Sequence, residues 1–589
     1  MSLDESIITL LSYSLVKRNR KVDSFSIHPL VHSWARHYLD FRPERETAIA
    51  RQAFGILQWA IDVPGKRATN NWIFEQRIML HIDAVAMHMN TFIEVGKLGV
   101  ENGTLIILGE VYLTHGQYDR ALMYYERILA GCEKLLGVGH PSTLTVVHNM
   151  AFIFINQGQY EKALKYFERA LAGYEKSLGE GHPHSLTAVG GMASVFAKQG
   201  QYDKALQYYE RALAGREKSL GVDHPDTLST VNNMASVFDS QGQYDKALKY
   251  YERALAGKEK SLGVGHPDVL TTVDNMASVF RNHGQYDKAL KYYERALAGR
   301  EKSLGVGHPD TLTTVHNMAA VFDRQGQYDQ ALKYYERALA GNEQSLGVDH
   351  PSTLITVNNM ALVFDNQGDY DRALKYSERA LAGCEKSLGL DHPDTLTTVN
   401  NMALVLDSQG QCEKAVKYYE RALAGKEKSL GVNHPSTLTT VHNMALVFNN
   451  QGQYDKALKS YERVLAGDQE SLGVNHPSTL TTVHNMALVF ANQGQYDKAL
   501  KYCERALAGR EKSLGVDHPD TLTTVHNMAF VLDNQGQYDK ALKYYERAFL
   551  GRGSRLGGNH PHTKSTHQVL VQLYQKTGRP LATWICQPP

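Results

Sequence analysis

The sequence predicts an all-α solenoid, a single row of stacked helix pairs. Two observations carry this. The dipeptide His-Pro recurs every 42 residues from His140 to His560, with no insertion or deletion between any two copies. Within each interval the apolar residues follow the 3.6-residue period of a helix, not the two-residue period of a strand. A fixed period of this kind marks a tandem array, in which one repeat cannot bury its apolar face without its neighbours.

We number each repeat from the leucine of LTTVHNMA, so that position 1 is Leu144, Leu186, Leu228 and so on to Leu522. A divergent earlier repeat begins at Asn102, and a half-repeat begins at Lys564. Eleven full repeats then occupy residues 102–563. The repeat at Leu312 shows the logic. Val315, Met318, Ala319 and Phe322 lie at i, i+3, i+4 and i+7, one face of a first helix. Gly326 stops that helix. Tyr328, Ala331, Leu332, Tyr335, Ala338 and Leu339 form the stripe of a second, longer helix. Asp329 begins it where the helix dipole favours an anion, four residues before Lys333. The proline of each His-Pro suits the first turn of the next first helix, where its missing N–H costs nothing. The glycine at position 30 (Gly215, Gly257, Gly299) falls inside the second helix, where it costs about 1 kcal/mol relative to alanine. A close approach by a neighbouring helix is the expected reason, and a bend is the alternative.

Composition narrows the function classes. There are 63 Lys+Arg against 62 Asp+Glu, a net charge of +1, in 589 residues. That balance argues against a chain whose main task is neutralising nucleic-acid phosphates or coating an anionic membrane. Five scattered cysteines with no CxxC spacing fit neither a disulfide framework nor a zinc ribbon, and they suit a reducing, cytoplasmic setting. No apolar run is long enough to span a bilayer. No HExxH, GxSxG or GxxxxGK[ST] motif occurs, so no catalytic, metal or nucleotide site is expected, and no cofactor. The recurring histidine is read as structural. Copies spaced by helix-packing distances of about 8–10 Å are too far apart to share one ion.

The string HPDTLTTVHNMA…QGQYDQALKYYERALAG resembles the tetratricopeptide repeat. Its 42-residue form is similar to that of kinesin light chains and nephrocystin-type proteins. The resemblance implies a right-handed superhelix (an α-α superhelix) whose first helices line a concave groove for protein or peptide segments. Residues 13–39, YSLVKRNRKVDSFSIHPLVHSWARHYL, resemble the segment joining the nucleotide-binding NB-ARC module to the repeats in fungal NOD-like receptors. On that basis residues 1–42 are expected to be a small winged-helix-like remnant: a helix over 7–16, a basic turn over 17–23, a short strand over 24–27 and a helix over 30–39. Residues 43–101 are expected to be a helical connector, with helices over 44–61 and 71–98, and residues 564–589 a capping helix and tail. The implied role is the ligand-sensing region of a NOD-like-receptor-type protein. A kinesin-light-chain-like cargo adaptor is the alternative.

The copies are nearly identical, so their differences are informative. On a helical wheel positions 2, 5, 6, 9, 12 and 13 of the first helix lie opposite its core face. Several of them vary, whereas Glu at position 25 and Arg at position 26 of the second helix do not. The varied face is therefore expected to be the binding groove. Its position-5 candidates are His316, Asn358, Asn400, His442, His484 and His526. Position 6 offers an amide ladder: Asn233, Asn275, Asn317, Asn359, Asn401, Asn443, Asn485 and Asn527. The ladder either holds a peptide backbone or bonds the neighbouring first helix. Asn450, Asn492 and Asn534 at position 13 complete the set. If these histidines faced solvent, an acidic ligand would gain affinity below about pH 6.5 as they charge.

Overall fold

The computed structural model describes residues 102–581 and, in the N-terminal region, two short strands. β1 (Val16–Asn19) pairs antiparallel with β2 (Ser24–Ile27), Lys17 lying opposite Ser26. The expected strand is thus present. Lys17, Arg18 and Asn19, expected in a basic turn, belong to β1, and Val16 opens that strand instead of ending a helix, while residues 20–23 lie outside the described residues. The helices expected over 30–39, 44–61 and 71–98, the rest of the one expected over 7–16, and the tail after Leu581 lie outside the described residues. The chain forms two compact bodies, residues 1–65 with 74–111 and residues 66–73 with 112–589. The second carries the array and is treated by itself.

Every element in residues 102–581 is an α-helix, from α1 (Asn102–Thr114) and α2 (Tyr118–Leu136) to α23 (Pro561–Lys576). First and second helices alternate in one 42-residue register. In the repeat at Leu312 they are α11 (Pro309–Arg324) and α12 (Tyr328–Ser345). The expected stop is there: Gly326 adopts φ +67°, a left-handed conformation that glycine takes without steric cost.

Each first helix from Pro141 on begins on its landmark histidine. The ring Nδ1 accepts the backbone N–H two residues on, at 3.0–3.2 Å in all eleven copies from His140 to His560. Proline follows in the first turn, as expected. The histidine is therefore an N-cap, satisfying a donor the helix leaves orphaned.

The core is continuous along the array and not divided into repeats. One cluster joins Ala319, Tyr335 and Leu339 to Val357, Met360 and Phe364 of the next repeat and to Val405 of the one after. Val315, Met318 and Ala319 are buried as expected. Phe322 is only half-buried and packs on Tyr334, ring centroids 5.2 Å apart. Val321 at position 10, outside the expected stripe, is fully buried. A first helix has neighbours on both flanks as well as beneath, so its buried arc is wider than a single amphipathic stripe.

The position-30 glycines are close-approach sites. A Cβ on Gly341 would stand 2.5 Å from Leu312 Cδ2 of the same repeat, and Gly215, Gly257 and Gly299 meet Leu186, Leu228 and Leu270 in the same way. On the outer side the constant Arg at position 26 pairs with Glu at position 32 of the preceding repeat, as in Arg421–Glu385 and Arg547–Glu511 at 2.6 Å. The constancy of that surface therefore has a structural cause. Asp329 accepts a hydrogen bond from Gln367 of the next repeat at 3.3 Å, and not the expected ion pair with Lys333.

The array also touches itself at long range. His434 Nε2 lies 2.9 Å from the carbonyl oxygen of Lys198, and His392 Nε2 lies 2.9 Å from that of Asn156, 236 residues back in each case. His350 and His476 make the same contact with Thr114 and Ser240. The row of repeats therefore coils, and between five and six repeats later it rests on its own previous turn.

Candidate inner wall of the array

The backbones of successive first helices approach one another along most of the array, as in α11 and the first helix before it, Pro267–Asn282. The first helices thus form the inner wall. Their varied residues fall into two sets.

The first set lies between neighbouring helices. His316 Nε2 lies 3.0 Å from Nδ2 of Asn359 in the next repeat, and its Nδ1 lies 3.1 Å from the Thr356 hydroxyl. Asn485 reaches His442 Nε2 and Asn527 reaches His484 Nε2, both at 2.8 Å. Asn443 donates to Asn400 Oδ1 at 3.3 Å, and Asn317 donates to Asp274 Oδ2 at 3.0 Å. So the ladder at position 6 clasps position 5 of the preceding repeat. Of the two roles open to it, bonding the neighbouring first helix is the one these contacts make. Asn358 and Asn400 are buried, whereas Asn275 and Asn401 are half-buried and Asn233 is exposed. The histidine rings stand edge-on to a tyrosine of their own repeat, His316 to Tyr335, His442 to Tyr461 and His526 to Tyr545.

Burial holds these imidazoles neutral. It pushes the pKa of His316 and His442 down to about 4. For His484 and His526 it goes to about 3, burial again dominating, with Arg510 beside the first and Arg552 beside the second adding repulsion. The expected rise in affinity for acidic ligands below pH 6.5 is thereby overturned. Positions 5 and 6 sit at the two margins of the concave arc, where an array places the adjacent helices, a geometry that a wheel for one helix omits.

The second set faces the interior space. Position 2 is exposed or half-buried, with Ile355 46% exposed. Position 13 is exposed in every repeat from Asn156 on, including Asn450, Asn492 and Asn534. Position 9 changes character along the chain. Ser194, Ser236 and Ser278 give way after Ala320 to Leu362, Leu404, Leu446 and Leu488, all half-buried, and then to Phe530 at 43% exposed. A cavity of about 440 Å³ opens in the wall where two turns meet, lined among others by Arg281, Arg324, Asn359 and Leu362.

Position 31 of the second helix escaped the sequence reading. It is a buried polar site that differs between repeats: Lys258, Arg300, Asn342, Lys426, Asp468, Arg510 and Arg552 are each at most 5% exposed. Arg300 donates to the Asp310 carbonyl at 2.9 Å, to Thr314 Oγ1 at 2.6 Å and to Thr271 Oγ1 at 3.1 Å, and Asp274 lies 3.5 Å away. Lys426 donates to Thr440 Oγ1 at 3.1 Å, and burial lowers its pKa to about 8. Asp468 accepts from Thr482 at 3.4 Å, and burial raises its pKa to about 6. The usable signal was a polar residue on the apolar stripe three and four places after positions 28 and 27.

The capping helix α23 buries Leu570, Leu573 and Tyr574. Gln568 and Gln572 face outward, and Thr566 is buried and accepts from Arg552 at 2.5 Å. Leu581 is 38% exposed. Among the described residues no three of His, Cys, Asp and Glu are placed to hold a metal ion, and no helix is long and apolar enough to cross a membrane.

A helix-pair solenoid with a continuous core and a varied inner wall is the architecture of an interaction repeat. The tetratricopeptide repeat family matches residues 102–260, 268–428 and 436–582 in overlapping segments, and the chain belongs to that family. No curated protein gives a significant match. Among solved structures, a kinesin light chain-type protein of Podospora anserina with nearly identical TPR-like repeats is 28% identical, covering 35% of this chain and 97% of its own, with a TM-score of 0.30. BtubC (BKLC) from P. vanneervenii is 21% identical over 42% of this chain and 94% of its own, TM-score 0.31. A Rap protein complexed with competence and sporulation factor is 16% identical over 63% of this chain and 98% of its own, TM-score 0.44. With all three scores below 0.5, family membership rests on the repeat match.

Proposed function

We propose that the array is a non-catalytic scaffold that binds extended protein or peptide segments along its inner wall. The observation that carries this is the division of labour among the first-helix residues. The constant ones have structural tasks: capping histidines, clasping asparagines and buried valines. Of the residues left facing the interior, those at positions 9 and 13 differ from repeat to repeat, while position 2 is Thr in all but Ser229 and Ile355. A segment with apolar side chains fits the stretch from Leu404 to Phe530. Its backbone groups are served by the exposed amides of Asn450, Asn492 and Asn534, each able to donate and accept. The cavity beside Arg281 and Arg324 also holds Asp323 and Asp520, so it suits a polar residue able to meet both charges.

The receptor-like segment at residues 13–39 favours reading the array as the ligand-sensing part of a NOD-like-receptor-type protein working in the cytoplasm. The 42-residue period also suits a kinesin-light-chain-like cargo adaptor, the alternative reading, though the array has more repeats than that reading expects. The division into an N-terminal remnant, a connector, eleven repeats and a cap is part of the same reading.

The test is a peptide-library screen with the full chain, followed by Leu446→Ser with Leu488→Ser. These half-buried changes should weaken a selected peptide at least tenfold while the fold stays intact. Charge reversal at Lys501 and Lys543 on the outer helices should leave binding within twofold. The opposite pattern places the ligand on the outer surface and defeats the proposal.

A further inference from the structure

The contact between successive turns has two complementary edges. One is the Gly turn at position 15, the other the His-Pro cap of a first helix five to six repeats later. A Cβ built on Gly158 or Gly200 would lie 2.6 Å from Cδ of Pro393 or Pro435, so only glycine lets the proline ring seat. The same seat recurs at Gly116, Gly242, Gly284 and Gly326. The histidine beside each proline carries its second ring nitrogen across, as His392 does to Asn156 and His434 to Lys198.

The array is about two turns long, so each edge is used once and left over once. Among the described residues, Gly368, Gly410, Gly452, Gly494 and Gly536 have open space where the proline would sit. The caps His224 and His266 leave 38% and 39% of their side chains exposed, against 8% and 6% for the seated His392 and His518. Tyr286, beside a filled seat, is 8% exposed, and its counterpart Tyr538 is 36% exposed. The glycine of the turn and the histidine and proline of the cap recur on the free surfaces in the same spacing as in the pair that already meets inside the chain, although the residue before the cap is Gly139, Gly181, Gly265 or Gly307 at four free caps and Asp or Asn at every seated one. One lies on the earlier turn and the other on the later turn, facing opposite ways along the coil.

We propose that this chain binds a second copy of itself end to end, the free His-Pro edge of one copy seating on the free Gly-turn edge of the next. The argument is continuity with an interface the chain already forms several times. The contact is heterologous: it joins two different surfaces and does not close, so each added copy presents a fresh edge and assembly is open-ended.

Sedimentation velocity of the full chain over rising concentration tests this. The mean mass should climb past twice the 65.8 kDa monomer. Two variants separate the edges. Gly410→Asn with Gly452→Asn and Gly494→Asn places a Cβ in the three central seats of the five, and asparagine tolerates the left-handed backbone there. His224→Asn with His266→Asn and His308→Asn keeps a good helix cap but removes the reaching nitrogen. Each variant alone should stay monomeric with an unchanged circular dichroism spectrum. Mixed one to one they should form a dimer and nothing larger, because each retains the edge the other lacks. A parent chain that stays monomeric at every concentration overturns the proposal. So does either variant assembling like the parent, or a mixture that yields no dimer. Because the parent is tested directly, a variant that misfolds does not shelter the idea.

Discussion

His434 holds two parts of the chain at once: one ring nitrogen caps the helix that begins at Pro435, and the other reaches the carbonyl of Lys198. Only a side chain with two separate nitrogens does both, which a serine or aspartate cap could not. In tetratricopeptide arrays energetics are expected to run between nearest neighbours. Here a second coupling skips between five and six repeats. His434→Ser keeps the cap and cuts the reach, so the variant should lose about 1 kcal/mol, the net worth of a typical hydrogen bond. Hydrogen exchange should rise near Lys198 as well as near His434. A rise confined to the repeats flanking His434 would mean the turns are not coupled.

The neutral histidines make stability pH-dependent. A histidine whose folded pKa lies below its unfolded value of about 6.5 contributes its full stability above that value. The contribution fades as pH falls through the window between the two. For His316, His442, His484 and His526 the folded values are about 4, 4, 3 and 3. Stability should therefore drop steeply from pH 6 to pH 4, by about 1.4 kcal/mol per pH unit for each such histidine. Asp468, raised to about 6, works the other way over part of this range, as do Asp239, Asp274, Asp323 and Asp365, whose carboxyls burial also raises, while His148, His350, His476 and His560, each lowered to about 4, add to the drop. Urea midpoints that stay flat between pH 6.5 and 4.5 would show that the imidazoles are solvated.

Gly341→Ala sets two known effects against each other. Alanine in a helix interior gains about 1 kcal/mol over glycine. Its methyl would stand 2.5 Å from Leu312 Cδ2, and such overpacking costs about 1–3 kcal/mol. The net change should be destabilising and centred on α11 and α12, read as a lowered denaturation midpoint. A more stable protein would mean that the two helices part without cost.

The outer row of ion pairs has a gap. Arg505 is at position 26, but position 32 of the preceding repeat holds Gln469 where every other repeat except the last, with Gly553, has Glu. Gln469→Glu should complete the row and stabilise the chain by a few tenths of a kcal/mol, the usual worth of an exposed pair, and less at high salt. No gain in thermal midpoint at low salt would show the row to be decorative.

Asn485→Ala removes the amide that holds His442 Nε2 at 2.8 Å. The buried ring nitrogen is then unpaired, which costs about 1–3 kcal/mol. The loss should show in folding whether or not a peptide is present. A variant of unchanged stability but weakened peptide binding would return the amide ladder to the groove.

The period, the helix bounds and the glycine turns were legible because each depends on residues within a few places of one another. Pro309 and Gly326 bound one helix whatever surrounds it. Position 31 was not legible, because a wheel assigns Arg300 or Lys426 to the apolar stripe and gives no partner for its charge. For Arg300 the partners are threonines on two different first helices, Thr271 and Thr314, and for Lys426 they are Thr440 and the Ser436 carbonyl. The contact of His350 with Thr114 lay further out of reach, since it depends on a small rotation summed over five to six repeats. The clasp between Asn485 and His442 shows the same limit. Facing away from one's own core does not mean facing solvent when a second helix lies alongside.

The seat between Gly200 and Pro435 also bears on how such an array changes length. Every rung offers the same seat and the same peg, so inserting or deleting one whole 42-residue module shifts which copies meet without changing what they meet. Such a coil tolerates gain and loss of modules by unequal recombination. A slip by any other number of residues would misalign every contact beyond it.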